Sequence, residues 1–148
     1  MIVAFDADVL IYSIQDDRTT GHRVVTLLND LFTDPASRAT GSVLLWPEVL
    51  SMPFRDDPAC EETARLTHTL ARMHLAPVDE ATARLALTLA ARYRLRAAEA
   101  CHLATAVLAG ADAFVTNNRK DFPQTIAEVA IWYPEDLPPG GTATPGAG

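Results

Sequence analysis

Short apolar runs that open into polar residues constrain this chain more than any other feature. Ile2-Val3-Ala4-Phe5 ends at Asp6, Val43-Leu44-Leu45-Trp46 is followed by Pro47 and Glu48, and Ala113-Phe114-Val115-Thr116 empties into Asn117 and Asn118, with Asp121 three residues on. Continuous apolar runs of this length, separated by helical stretches, read as buried parallel strands. In a parallel sheet the carboxyl ends of the strands share one edge, and ligand sites form there. Residues far apart in sequence are therefore expected to converge on one edge, most of them carrying carboxylates. Such a set suits a hard divalent cation, because Mg²⁺ and Mn²⁺ prefer oxygen ligands.

Five strands are predicted, over 2–5, 43–46, 75–78, 113–116 and 130–133. The third contains Pro77, which cannot donate to a ladder and belongs at an edge. Val24, Leu27, Leu28 and Leu31 form a helical stripe that stops before Asp34-Pro35. Pro47 fits a first helical position, which puts Glu48 in the first turn of a helix reaching about Phe54. Further helices are predicted over 61–74, after an Asp79 N-cap as far as Arg92-Tyr93, and over 97–109, stopped by Gly110. Strand and helix alternate along the chain, so the expected class is α/β, a three-layer α/β/α arrangement around a five-stranded, mostly parallel sheet. A single domain is expected over 1–137. Beyond Leu137 the Pro- and Gly-rich stretch 138–148 has no core-forming residues and reads as a flexible, functionally silent tail.

The chain has 148 residues, enough for one domain with a core of its own. No apolar run approaches the ~20 residues of a membrane span, and the N-terminus lacks a basic signal-peptide start, so a cytoplasmic location is expected. Cys60 and Cys101 fall on separate helical segments without metal-ligand spacing and read as two reduced, mostly buried thiols. Net charge is −7, from 12 basic and 19 acidic residues, which argues against holding nucleic acid by bulk electrostatics. A nuclease remains compatible, because a bound dication reverses the local field where a phosphate must sit. A basic protein partner would also account for an acidic surface.

The helix over 97–109 precedes the strand at Ala113 and should run antiparallel to it, which brings Glu99 in its first turn to the carboxyl edge beside Asp6, Glu48 and Asn118. His102 shares a helix face with Glu99. Each residue also has a purely structural reading. First-turn carboxylates such as Glu48 and Glu99 complement the helix macrodipole. Asp6 and Asp8 serve equally as N-caps, Asn117 and Asn118 as turn residues, and His102 as a core residue bonded to a neighbour. Jointly these readings weaken, because independent capping has no reason to gather the acids on one edge, and clustered carboxylates repel unless a cation or proton intervenes.

Over about residues 1–137 the sequence resembles the PIN-domain ribonucleases, especially the VapC-like toxins of bacterial toxin–antitoxin pairs. The matching stretches are Val3-Ala4-Phe5-Asp6-Ala7-Asp8-Val9-Leu10, then Glu48 after the second strand, and Leu95-Arg96-Ala97-Ala98-Glu99-Ala100-Cys101-His102-Leu103-Ala104-Thr105-Ala106. Gly110-Ala111-Asp112-Ala113-Phe114-Val115-Thr116-Asn117-Asn118 and Asp121-Phe122 complete the set. The resemblance implies metal-dependent RNA cleavage, with the family's four acidic positions falling on Asp6, Glu48, Glu99 and Asn118 and a secondary polar position on Asp8. It also implies a homodimer and a small antitoxin whose segment occludes the acidic edge, with the apolar Leu50, Met52 and Phe54 as a candidate contact face. The third position is usually Asp and the fourth often Asp, so Glu99 and Asn118 depart from the pattern, with Asp8 or Asp121 available to restore charge.

The expected mechanism is cleavage by a metal-activated water, with Asp6, Glu48 and Glu99 holding one or two Mg²⁺ or Mn²⁺ ions and Asn118 and Asp8 orienting bound waters. Arg96, Arg119 and Lys120 lie near the predicted edge as candidate RNA contacts, or as solvated surface charges. Two alternatives stand beside this reading. One is a haloacid-dehalogenase-like phosphatase with Asp6 as nucleophile and Asp8 as general acid/base, which Phe5-Asp6-Ala7-Asp8-Val9-Leu10 also resembles. The other is a catalytically degenerate PIN fold kept as a binding or regulatory module.

Overall fold

The computed structural model of the chain describes residues 1–15 and 20–139. Among them are five strands: β1 (Ile2–Phe5), β2 (Arg38–Ser42), β3 (His74–Ala76), β4 (Ala113–Val115) and β5 (Ala130–Trp132). The helices are α1 (Ala7–Gln15), α2 (Thr20–Thr33), α3 (Leu45–Asp56), α4 (Glu61–Arg72), α5 (Glu80–Tyr93) and α6 (Ala97–Leu108), with a short 3₁₀ turn at Pro134–Asp136. The strands make one sheet in the order β3-β2-β1-β4-β5, and every pairing is parallel. The chain thus winds out from β1 to one edge, returns through α5 and α6, and adds β4 and β5 on the other side.

Alternation along the strands divides the core into two layers. Val3, Phe5 and Val115 pack with Val9, Leu10, Val24, Leu28, Leu66 and Leu70 beneath α1 to α4. Ala4, Phe114 and Ile131 face the other way, onto Leu89, Leu103, Ala104 and Phe122 under α5 and α6. Two buried faces on one sheet explain why β1 and β4 read as unbroken apolar runs, and they make the fold the expected three-layer α/β/α sandwich.

The second strand is not where the apolar run placed it. Val43 and Leu44 form a turn, and Leu45 and Trp46 begin α3, so the helix starts two residues before Pro47. The strand is the preceding Arg38-Ala39-Thr40-Gly41-Ser42, in which Thr40 and Ser42 are buried with their hydroxyls hydrogen-bonded. Thr40 Oγ1 donates to His74 O at 2.7 Å, and Leu44 N donates to Ser42 Oγ at 3.1 Å. Leu45, fully buried, fills the space over Gly41. A Cβ on Gly41 would meet Leu45 Cδ1 at 2.5 Å. Gly41→Ala is accordingly expected to destabilise the protein by roughly 1–3 kcal/mol, read from urea denaturation midpoints, and to shift the start of the helix that carries Glu48.

β3 takes the edge position expected of it, and Pro77 follows its last residue. Asp79 caps α5, its Oδ1 accepting from Thr82 N at 2.9 Å. Gly110 takes φ +66° just after α6, the left-handed region that a helix-stopping glycine serves. The helix predicted over 61–74 ends at Arg72, and His74 belongs to β3. Cys60 and Cys101 are free and half-buried; Cys60 is the N-cap of α4. Leu137 is buried against the core while Pro138 and Pro139 are exposed, and the rest of the expected tail lies outside the described residues. Among the described residues no helix is long and apolar enough to cross a membrane.

Candidate active site

The carboxyl edge of the sheet opens into a cleft of about 460 Å³ lined by Asp6, Ala7, Asp8, Glu48, Arg96, Ala98, Glu99 and Asn118. The four principal positions expected from the sequence therefore converge, delivered by β1, α3, α6 and the loop after β4. Asp8 and Arg96 join them. Asp121, Arg119 and Lys120 lie outside the lining, although Asp121 reaches it through Asn118.

Asp6 is the most buried of the acids. The β1–β4 register sets Phe5 opposite Val115, which leaves Asp6 beside Thr116. Its Oδ1 accepts from Ala7 N at 2.8 Å and its Oδ2 from Thr116 Oγ1 at 2.8 Å. Burial, reinforced by the neighbouring Asp8, pushes its pKa up to about 7, against the opposing pull of His102 and these two hydrogen bonds. Asp8 is also raised, chiefly by burial, although Asn117 N donates to its Oδ1 at 3.3 Å. Thr116 is a site residue the sequence reading did not single out. The clue was its place at the end of β4, one step past the residue paired with Phe5.

The raised Asp6 carries a signed consequence for stability. Its folded pKa lies above its ordinary value of 3.8, so the stabilising contribution is complete below about pH 4 and is lost as the pH rises through about 7. In metal-free buffer, Asp6→Asn, which cannot ionise, is expected to melt increasingly above the wild-type protein between pH 4 and pH 8. Thermal unfolding followed by circular dichroism at several pH values checks this, and a gap that stays constant with pH would contradict it.

Glu48 sits in the first turn of α3 and projects its carboxylate to α6, where Oε2 lies 2.7 Å from His102 Nε2. The Glu48 side chain keeps a third of its surface exposed, whereas that of His102 is 1% exposed. The reading of His102 as a buried residue bonded to a neighbour holds, and the neighbour is a site acid.

Glu99 is held differently. Its extra methylene lets the carboxylate curl back on the helix start, where Oε2 accepts from Arg96 N at 3.0 Å and Oε1 from Arg96 Nη2 at 2.8 Å. Asn118 is likewise engaged: its Nδ2 donates to Asp121 Oδ2 at 2.9 Å, and Asp121 N donates to its Oδ1 at 3.2 Å. That amide is the main reason the Asp121 carboxyl lies below the ordinary range. Asn118 N also donates to Thr116 Oγ1 at 3.0 Å, so one hydroxyl joins the Asp6 and Asn118 positions. Arg96 is thus a partner of Glu99. Arg119 pairs with Glu135 and lies over the Tyr133 ring, its Cζ 4.5 Å from the centroid.

This donor set fits a hard divalent cation. It is all oxygen, it faces an open cleft, and its deepest member has a pKa raised to about 7 by burial and a second carboxylate, a strain that a cation relieves. Among the described residues no three Asp, Glu, His or Cys side chains already stand together as ligands. Glu99 is bonded to Arg96 and Asn118 to Asp121.

Comparison with known proteins fits this architecture. No curated protein matches the sequence significantly. The fold is similar to a toxin–antitoxin complex from Klebsiella pneumoniae (TM-score 0.68, 21% identity, covering 91% of this chain and 99% of that one). It is also similar to VapBC-1 from nontypeable Haemophilus influenzae (TM-score 0.67, 15% identity, 91% and 99%) and to FitAcB from Neisseria gonorrhoeae (TM-score 0.62, 19% identity, 93% and 100%). At such identities these likenesses speak to the fold. The profile of the PIN domain matches residues 3–127, a span that includes every residue lining the cleft, and the chain therefore belongs to the PIN-domain family.

Proposed function

We propose that the protein is a metal-dependent endoribonuclease acting as the toxin of a toxin–antitoxin pair. The observation that carries this reading is the convergence of Asp6, Glu48, Glu99 and Asn118, from four separate segments of a PIN-domain chain, on one cleft. Asp6, Glu48 and Glu99 would hold Mg²⁺ or Mn²⁺, with Asn118, Asp8 and Asp121 as secondary oxygens. When bound, the cation supplies a Lewis acid that lowers the pKa of a water and offsets charge at the phosphodiester. Thr116 fixes one oxygen of Asp6, and His102 fixes one of Glu48. Asp8, raised by burial, is placed to orient a water or take up its proton. Lys120, the chain's single lysine, is exposed just beyond Asn118 and, with Arg96, is a candidate contact for the RNA backbone.

The similar structure from Klebsiella pneumoniae, described as a toxin–antitoxin complex, supports a cognate antitoxin as partner. A homodimer is part of the same reading, with Met52 and Phe54, 63% and 58% exposed on α3, as the contact face beside Leu50. The proposed location is the cytoplasm. Family membership favours the nuclease over the phosphatase reading of Asp6 and Asp8. The degenerate, non-catalytic module keeps one specific observation in its favour, the engagement of Glu99 by Arg96. Incubating the protein with structured RNA in Mg²⁺, in Mn²⁺ and in EDTA separates the two: cation-dependent cleavage supports the nuclease, and intact RNA under all three conditions supports the module.

A further inference from the structure

We propose that His102 is a positioning residue that fixes Glu48 for metal binding, its Nε2–H donating a hydrogen bond to the Glu48 carboxylate. The inference rests on the metal-binding reading of the cleft and assigns a role to a residue outside the oxygen set.

His102 lies one turn beyond Glu99 on α6, so a single helix serves both walls of the cleft. Its neighbours Leu103, Ala104 and Ala106 are fully buried and lock α6 against the sheet, which leaves the imidazole little freedom. Nε2 meets Glu48 Oε2 at 2.7 Å, the distance of a charge-assisted bond. Nδ1 is buried and has no hydrogen-bond partner among the described residues.

That asymmetry selects the tautomer. A proton on Nδ1 would bury an unpaired donor and turn the Nε2 lone pair onto a carboxylate oxygen, a repulsive contact. A proton on Nε2 leaves Nδ1 as a bare acceptor and makes the bond to Glu48. A half-satisfied imidazole is a poor way to fill an apolar helix face that a leucine would fill without any orphaned nitrogen. What the histidine supplies that a leucine does not is the donor to Glu48. Among the described residues one Glu48 carboxylate oxygen is engaged, so the bond orients Glu48 without occupying both of its oxygens.

The test is calorimetric titration of the full chain with Mn²⁺, comparing wild type with His102→Leu and His102→Gln, alongside ¹⁵N NMR of the wild-type imidazole. Loss of the donor in His102→Leu is expected to weaken Mn²⁺ binding about 10- to 100-fold, the usual effect of removing a group that orients a ligand. His102→Gln, whose side-chain amide can donate to Glu48, is expected to recover most of that loss. A purely structural role would move melting temperature without this pattern of loss and rescue. The ¹⁵N shifts should report the Nε2–H tautomer, a measurement that holds even if His102→Leu fails to fold. Equal Mn²⁺ affinity in wild type and His102→Leu, or an Nδ1–H tautomer, overturns the inference alone. A wild type that binds no Mn²⁺ overturns it together with the metal-binding reading.

Discussion

Asp6→Ala is expected to lower RNA cleavage by on the order of 10³-fold or more, equivalent to about 4 kcal/mol of transition-state stabilisation. Asp6 is the deepest oxygen donor in the cleft, and Thr116 and the Ala7 amide hold its carboxylate in place. Removing it takes away an oxygen donor at the point where the site is most enclosed. The fold should survive. In metal-free protein a buried carboxylate with a pKa of about 7 is a burden above neutrality, so loss of the ionisable group offsets part of the packing lost with the side chain. Single-turnover cleavage assays beside far-UV circular dichroism check both halves. Near-wild-type cleavage by a folded Asp6→Ala protein would remove Asp6 from the mechanism.

Phe114→Ala is expected to have the largest effect on stability, a loss of about 3–5 kcal/mol. Phe114 is fully buried in β4, packed edge-to-face on Phe122 with ring centroids 5.0 Å apart and planes at 64°. The pair fastens the loop after β4 to the sheet beneath α6, and that loop carries Thr116 and Asn118 to the cleft. Against the 5–15 kcal/mol typical of a domain, a loss of this size leaves little margin. Urea denaturation should show the midpoint falling sharply with an unchanged slope. A shift below about 1 kcal/mol would mean the layer around Phe114 repacks readily.

The sequence made the site more legible than the strand that leads to it. Asp6, Glu99 and Asn118 each sit beside a strand or helix with a strong periodic or apolar signal, so their convergence on one edge followed from the parallel topology. β2 is hidden in the sequence because its buried polar residues, Thr40 and Ser42, break the apolar pattern, while the apolar Leu45 belongs to a helix. Glu48 was placed correctly despite this, since either version of the strand puts it at the start of the following helix. What sequence alone could not reach were the pairings between distant segments. The bond from His102 to Glu48 requires α3 and α6 to meet at one end of the sheet. The grip of Arg96 on Glu99 depends on rotamers at a helix start, and the ion pair of Arg119 with Glu135 depends on how the chain returns after β5. Thr116 illustrates a third case: its place after β4 is readable, but its neighbour in space, Asp6, is fixed by strand register.

In the proposed function the acids of this cleft act together as a divalent-metal site for RNA cleavage. Calorimetric titration of the wild-type protein with Mn²⁺, with Asp6→Ala titrated beside it, tests this role most directly. Saturable binding by wild type, with uptake of the ion releasing a proton near pH 7 as Asp6 ionises, and its loss in Asp6→Ala, is the predicted result. Wild type that takes up no Mn²⁺, or an Asp6→Ala variant that binds it as tightly, would contradict the account.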